Sequence, residues 1–162
     1  MNLSNSPEPR FAADCMLGTL AKWLRILGYD TLYLNKVEDA DLVETARSED
    51  RILLTRDRRL TERRRAAPFL LIAAEQPMEQ LREMAAALRL AFDERRILTR
   101  CLRCNTPTDE ADPASVRDRV PPYVFQTQSR FRLCRACDRV YWGATHRENM
   151  LERLRQVFGP SP

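Results

Sequence analysis

The chain has 162 residues, of which 44% are apolar, so it is long enough for one ordinary domain with a small second unit and too apolar for global disorder. Its net charge is +4, and every cation except Lys22 and Lys36 is an arginine. Arginine binds phosphate better than lysine, which favours a nucleic-acid partner, although a GC-rich coding sequence produces the same bias. The sequence contains no membrane-length apolar run and no signal-peptide pattern, so we expect a cytoplasmic protein.

The first part of the chain alternates short apolar runs with helical patterns, from residue 11 to about residue 90. The predicted strands span residues 11–13, 31–34, 51–55 and 69–72. The predicted helices span residues 17–27, 41–49, 58–65 and 78–88, with Gly28 as a left-handed cap after the first. Because strand and helix alternate at this spacing, we predict an α/β fold with a parallel sheet and helices on its faces.

A second, smaller unit begins near Thr99. We place the first domain over residues 10–95 and the second unit over residues 99–158, where residues 146–158 form a last amphipathic helix. The second unit has too little apolar mass to fold unaided, so we expect it to depend on a bound metal.

The second unit contains two Cys-x-x-Cys pairs, which are the strongest local signal in the sequence. Tetrahedral zinc prefers four thiolates, and two such turns supply them. A redox motif consists of one pair at the start of a helix, so the presence of two pairs argues against it. The fifth cysteine, Cys15, is interpreted as a small buried hydrophobic residue. The predicted zinc ligands are Cys101, Cys104, Cys134 and Cys137.

Carboxylates follow the predicted strands of the first domain. Asp14 follows the first strand, Asp57 follows the third, and Asp39 and Asp41 lie between the second strand and the next helix. Because ligands bind at the carboxyl ends of parallel strands, all four acids are expected at one edge of the sheet. Mg²⁺ or Mn²⁺ prefers such oxygen ligands and supports phosphodiester hydrolysis.

Helix capping is the alternative interpretation of the same acids. Asp41 and Glu44 have the spacing of a capping box, and Asp57 is placed to cap the helix that follows it. The residues alone leave both interpretations open for each acid.

Basic residues indicate where a nucleic acid would bind. Lys22 and Arg25 share one stripe of the first helix, and Arg56 and Arg58 follow the third strand. Further arginines of the second unit lie near aromatic residues, a combination that suits single-stranded RNA because bases stack on aromatic rings. A solvated basic face is the alternative for each run. The candidate RNA contacts are Lys22, Arg25, Arg56 and Arg58.

Three segments carry a resemblance to a known family. Residues 13–30 read Ala-Asp-Cys-Met-Leu-Gly-x-Leu-Ala-x-Trp-Leu-Arg-x-Leu-Gly-Tyr-Asp. Residues 39–46 read Asp-Ala-Asp-Leu-Val-x-x-Ala, and residues 52–58 read Ile-Leu-Leu-Thr-Arg-Asp-Arg. Together with the cysteine pairs, this pattern resembles the Mut-7 C-terminal RNase family, a PIN-like nuclease domain followed by a zinc ribbon.

The resemblance implies a PIN-type α/β/α sandwich and metal-dependent RNA cleavage. By position, the family's acids fall on Asp14, Asp39 and Asp57, with Asp41 a near neighbour. The residues alone leave open whether His146 caps the final helix, contacts phosphate or does neither. The resemblance also places a histidine at this position, which adds His146 to the candidate RNA contacts.

One position departs from the pattern that the resemblance implies. In related domains a fourth acid lies two residues past the third, where this chain has Arg59, and Glu75 after the fourth strand is a possible substitute. The leading hypothesis is a metal-dependent ribonuclease whose zinc ribbon helps to bind RNA, with structural Zn²⁺ and catalytic Mg²⁺ or Mn²⁺.

Two other hypotheses remain open. The first is a non-catalytic RNA- or ribosome-binding protein on a degenerate PIN scaffold, and the second is the toxin of a toxin–antitoxin pair. The expected partner is single-stranded RNA and not a membrane; the sequence leaves the RNA target, the cleavage mode and the oligomeric state open.

Overall fold

The computed structural model describes residues 8–62, 67–143 and 147–159. A four-stranded parallel sheet forms the centre of the first unit, in the order β2-β1-β3-β4. Its strands are β1 (Phe11–Ala13), β2 (Thr31–Tyr33), β3 (Ile52–Thr55) and β4 (Phe69–Leu71). The helices between and after them are α1 (Gly18–Ile26), α2 (Asp39–Ser48), α3 (Arg58–Glu62) and α4 (Pro77–Leu88). The predicted α/β class with a parallel sheet is confirmed.

Helices bury the sheet on both faces. Because neighbouring residues of each strand point to opposite sides, each strand contributes to two separate clusters. Phe11, Ala13 and Leu54 pack into a cluster with α1 and α4. Ala12 and Leu53 pack into a second cluster with α2 and α3. The three layers are therefore helix, sheet and helix, as the resemblance implied.

A glycine ends the first helix. Gly28 has a φ of 87°, and a Cβ at this position would lie 2.8 Å from the carbonyl oxygen of Arg96. The left-handed conformation and the close approach both require glycine, so the predicted cap is confirmed. The predicted helix 58–65 is described as far as Glu62, and the rest of that prediction lies outside the described residues.

The strand order places a crevice between β1 and β3. From β1 the chain crosses through α1 to β2 on one side, and from β3 it crosses through α3 to β4 on the other side. The connections that leave these two neighbouring strands therefore diverge at their carboxyl ends, which is where open α/β sheets bind ligands.

The second unit has an antiparallel sheet in the order β5-β6-β7. Its strands are β5 (Asp109–Ala111), β6 (Phe131–Cys134) and β7 (Arg139–Trp142), with short helices α5 (Pro113–Val116) and α6 (Pro122–Thr127). Its core consists of three buried residues, Val116, Val120 and Phe131. A cluster of this size is too small to stabilise an independent domain.

The last helix, α7 (Arg147–Phe158), packs on the first unit. Leu151 and Leu154 are buried in the same cluster as α1 and α4. The division at residues 95–99 stays a prediction, but α7 ties the end of the chain to the core of the first unit. Among the described helices, none is long and apolar enough to cross a membrane.

Candidate functional site

Asp14 lies at the carboxyl end of β1, beside the crevice between β1 and β3. Its side chain is buried, with 5% relative exposure, and caps the short 3₁₀ turn Cys15–Leu17 by accepting a hydrogen bond from the amide of Met16 at 2.8 Å. Its other oxygen accepts hydrogen bonds from the hydroxyl of Thr55 and, at 3.2 Å, from the amide of Arg56. Three donors therefore fix a carboxylate that would otherwise be costly to bury.

Asp57 lies two residues beyond β3 and is exposed. Its carboxylate accepts a hydrogen bond from the amide of Arg59 at 2.8 Å, which is the capping contact that its position predicts. Its own amide donates to the hydroxyl oxygen of Thr55 at 3.0 Å. Since the same hydroxyl donates to Asp14, Thr55 connects the turns that carry both acids.

Asp39 and Asp41 lie in the first turn of α2 and are exposed. The helix begins two residues earlier than predicted, with Glu38 at its N-cap and no side-chain capping bond. The predicted capping box is therefore wrong. Glu44 pairs instead with Arg47, at 2.7 Å, because the two lie three residues apart on the exposed face of the helix.

Two further acids reach the same edge of the sheet. Glu75 follows β4, and its carboxylate lies 4.0 Å from the guanidinium of Arg56. Glu83 of α4 accepts hydrogen bonds from the amides of Ala73 and Ala74, two and three residues beyond β4. No sequence pattern indicates Glu83, because it lies in mid-helix and meets the strand only through folding. At the predicted fourth position, Arg59 is exposed.

The acids offer suitable donors for Mg²⁺ but do not form a closed cluster. Among the described residues, no three carboxylates have oxygens within 4.8 Å of one another. Mg²⁺ usually takes one or two carboxylates and keeps several waters. Asp14 has used three of its about four acceptor positions, and Asp57 carries a single described hydrogen bond at its carboxylate. In chemistry and number, this pair fits such an ion.

The four predicted zinc ligands do form a closed cluster. The sulfurs of Cys101, Cys104, Cys134 and Cys137 all lie within 4.8 Å of one another, and none is in a disulfide. The sulfurs of Cys104 and Cys134 are 3.5 Å apart, and the amide of Cys137 lies 3.4 Å from the sulfur of Cys134. Four thiols at this spacing suit a tetrahedral metal such as zinc.

The cysteines also perturb one another electrostatically. Burial raises the pKa of Cys104, but hydrogen bonds with Thr106 and the neighbouring sulfurs outweigh it and lower that pKa to about 6. Hydrogen bonding with Cys104, followed by burial, raises the pKa of Cys137 to about 12. Four thiolates cannot coexist here without compensation, and a divalent cation supplies it.

Cys15 does not belong to this cluster. It is exposed, so its interpretation as a buried hydrophobic residue is wrong. The reason is its place in the 3₁₀ turn after Asp14, where Leu17 is the residue that turns into the core.

Arg25 fastens the first cysteine turn (residues 101–104) to the first unit. It is buried, and its guanidinium donates to the carbonyls of Leu102 at 3.0 Å and Arg103 at 3.2 Å. It also donates to the carbonyl of Thr31 at 2.9 Å. Burial lowers the pKa of Arg25, and the charges of nearby cysteines oppose this. The described bonds give Arg25 a structural role, and its contact with RNA stays a prediction.

Asp30, just before β2, forms a second connection between the units. Its carboxylate accepts hydrogen bonds from Arg51 at 2.6 Å and from the amide group of Asn105 at 2.7 Å. Asn105 in turn accepts a hydrogen bond from the amide of Thr31 at 2.9 Å. The residue after the first cysteine turn is thereby fixed against the amino end of β2.

The remaining predicted RNA contacts differ in their surroundings. Lys22 of α1 and Arg58 of α3 are exposed. Arg56 is partly buried, and its Nε is a buried donor with no acceptor among the described residues. His146 lies outside the described residues.

Comparison with known proteins gives one result at the level of families. The family model described as Mut7-C RNAse domain matches residues 9–154, which include both the parallel sheet and the cysteine cluster. No curated protein and no solved structure matches the chain.

Proposed function

Because the chain belongs to the Mut7-C RNAse domain family, we propose that it is a metal-dependent ribonuclease that hydrolyses RNA phosphodiester bonds at the carboxyl edge of its parallel sheet. The family match indicates a nuclease-type function with RNA as substrate. One observation carries the finer proposal: Asp14, buried and held by three donors, lies beside the crevice between β1 and β3 and is linked through Thr55 to the turn of Asp57.

In this proposal the acids hold a Mg²⁺ or Mn²⁺ ion. Asp14 and Asp57 bind it directly, and Asp39, with Asp41 beside it, completes the site or orients a water. When bound, such an ion polarises a phosphoryl oxygen and makes its water more acidic. Thr55 and the amides of Met16 and Arg56 keep Asp14 in place, so the carboxylate needs little reorganisation.

The substrate is held by cations near the same edge. The backbone amide of Arg56 donates to Asp14, and the Nε of its side chain lacks an acceptor among the described residues, which an anionic phosphate would supply. Arg58 and Lys22 are exposed and add phosphate contacts, and His146 is proposed as a further contact. Arg25 contributes indirectly, by holding the first cysteine turn.

The cysteine cluster has a structural part in the proposal. Four thiolates close the coordination of Zn²⁺, so the zinc takes no part in catalysis. Zinc holds the small antiparallel unit together, and that unit helps to bind RNA.

The test of this function is a cleavage assay with a labelled pool of RNA. Purified protein is expected to cleave RNA when Mg²⁺ or Mn²⁺ is present and to stop when the ion is omitted, with zinc retained throughout. Cleavage that is unaffected by omission of these ions would overturn the metal-dependent mechanism.

Arg59 favours a second candidate, the non-catalytic RNA- or ribosome-binding protein. It occupies the position where related domains have an acid, and the described carboxylates do not form a group of three. A titration with Mn²⁺, followed by its paramagnetic signal, separates the two functions. The ribonuclease binds Mn²⁺ and loses that binding in Asp57→Asn, whereas the degenerate scaffold binds no Mn²⁺ in either form.

A further inference from the structure

A groove runs along one side of α1, with a volume of about 660 Å³. One wall is a stripe of α1 from Gly18 to Arg25, and the opposite wall is formed by residues 33–37, from the last residue of β2 onward. Leu102 and Arg103 of the first cysteine turn close its far end. Since α1 begins at the carboxyl edge of the sheet and returns toward the amino edge, the groove leads from the acids to the cysteine cluster.

The charge of this groove is of one sign. Its lining contains Lys22, Lys36, Arg103 and the buried Arg25, and it contains no Asp or Glu. Lys22, Lys36 and Arg103 are exposed and form no ion pair with any residue that the structure describes. Lys22 and Lys36 are also the only lysines of the chain, so both are concentrated here.

A second cavity of about 610 Å³, between α7 and the antiparallel sheet, shows that unpaired cations are not the rule in this protein. It is also lined by arginines, but they face acids across its surface. Arg130 lies 3.4 Å from Glu110, and Arg147 lies 3.9 Å from Glu94. Cations that already have acid partners gain less from a phosphate than cations that have none.

We infer that the groove along α1 binds the phosphodiester backbone of single-stranded RNA and guides it between the carboxyl edge and the first cysteine turn. The inference rests on the proposed function for the identity of the polyanion. The seven residue steps from Gly18 to Arg25 span about 10 Å of helix, so the groove holds a short stretch of the strand. Lys22, Lys36 and Arg103 each neutralise one phosphate.

The groove also offers an aromatic surface. Tyr33 lines it and donates from its hydroxyl to the carbonyl of Cys15 at 3.2 Å. The ring lies against Gly18, where a Cβ would be 2.7 Å from the hydroxyl oxygen of Tyr33. Glycine therefore allows the ring to sit close to the helix, where a base of the strand can stack on it.

The experiment measures binding and not cleavage. A short labelled single-stranded RNA is titrated with zinc-loaded protein, without added Mg²⁺ or Mn²⁺, at several salt concentrations, and fluorescence anisotropy gives the affinity. The variants are Lys22→Gln, Lys36→Gln, Arg103→Gln and the triple change. Arg89→Gln is the matched control, because Arg89 is exposed, lies outside the groove and has no described ion pair. Melting curves and zinc content verify that each variant is folded.

Each single change is expected to weaken binding, and the triple change is expected to lower the magnitude of the salt slope by about 2, because each phosphate contact of a single strand contributes about 0.7. Arg89→Gln leaves affinity and slope unchanged. Tyr33→Leu is expected to weaken binding at least about fivefold with an unchanged slope, because it removes stacking and no charge.

An unchanged salt slope in the folded triple variant would overturn the proposal that the groove binds RNA. A change of slope in Arg89→Gln equal to that of the groove variants would overturn it as well. These outcomes are independent of the proposed function. If the protein binds RNA through the groove but never cleaves it, the groove is supported and the ribonuclease function is contradicted. If the triple variant cleaves RNA and binds it with full affinity, the ribonuclease function is supported and the groove is contradicted.

Discussion

The two candidate metal sites of this protein differ in how far the protein chain alone assembles them. The four cysteine sulfurs lie within 4.8 Å of one another, ready for a tetrahedral ion. The acids at the carboxyl edge come from separate elements, and the carboxylate of Asp14 already accepts hydrogen bonds from three protein donors. A structural metal is part of the fold, so its ligands are gathered by the fold. A catalytic ion must share its site with substrate and water, so the protein fixes one ligand firmly and leaves others accessible.

The largest expected effect is loss of the cysteine site. Cys134→Ser, or removal of zinc by a chelator, is expected to unfold the second unit, because its core is only three residues and structural zinc contributes on the order of 10 kcal/mol. Circular dichroism and metal analysis measure this. Cys15→Ser is the matched control, since Cys15 is exposed and outside the cluster. A zinc-free protein with an unchanged spectrum and melting curve would show that the four cysteines are not a structural site.

The next effect concerns the link between the two acids. Thr55→Val keeps the shape of the side chain but removes the hydroxyl that joins Asp14 to the turn of Asp57. We expect the free energy of unfolding to fall by about 1–3 kcal/mol, since buried polar groups lose a partner, and cleavage to fall with it by at least about tenfold.

Thr127→Val is the control for that change. Its hydroxyl donates to the carbonyl of Tyr123 at 2.8 Å within α6, in the second unit. If both threonine variants cleave RNA at the wild-type rate, Thr55 is only a packing residue and the two acids are not linked through it.

The third prediction has an expected effect of similar size and compares the stability effects of two cations on the same stripe of α1. Arg25→Gln is expected to lower the free energy of unfolding by about 1–3 kcal/mol, because the carbonyls of Leu102 and Arg103 lose their donor. Lys22→Gln is expected to leave stability within about 0.5 kcal/mol, since it changes an exposed side chain. Chemical denaturation measures both. Equal stability of the two variants would show that Arg25 does not fasten the cysteine turn.

The smallest effect is a dependence of stability on pH. Burial raises the pKa of Asp30, but hydrogen bonds from Arg51 and Asn105 outweigh it and bring that pKa to about 2, below the ordinary value of 3.8. A carboxyl group with a lowered pKa stabilises the fold above its unfolded value and loses this contribution as the pH falls through the folded value. Stability should therefore decline between about pH 4 and pH 2.

Asp30→Asn is expected to flatten that decline, measured as melting temperature against pH. Asp118→Asn, a change at an exposed acid, controls for the general effect of charge. A wild-type curve and an Asp30→Asn curve that run parallel from pH 4 to pH 2 would contradict the role of Asp30.

Most of the fold was predictable from the sequence, because it follows from local periodicity. The strands and helices of the first unit lie within about two residues of their predicted bounds wherever the structure describes them, and Gly28 ends α1 as predicted. The cysteine cluster was predictable for the same reason, since the spacing within each pair is local.

Features that depend on long-range packing were not predictable. Arg25 looks like an exposed cation in a helical stripe, but it is buried because the cysteine turn, 77 residues later, folds over it. Glu83 and Arg103 likewise reach the sheet edge and the groove only through the tertiary fold. The capping pattern also predicted the wrong start for α2. The helix begins at Asp39, with Glu38 as its N-cap, and not at Asp41.

The most direct test of the central claim is the rate of RNA cleavage by Asp14→Asn, measured beside its melting temperature. Asparagine keeps the size of the side chain, but its NH₂ group must face one of three protein donors. We therefore expect the free energy of unfolding to fall by about 1 kcal/mol and the melting temperature by a few degrees, with the fold intact. Cleavage is expected to fall at least about a hundredfold, because the fixed ligand of the ion loses its charge. Full cleavage by the folded variant would contradict the account and leave Asp14 as a structural cap.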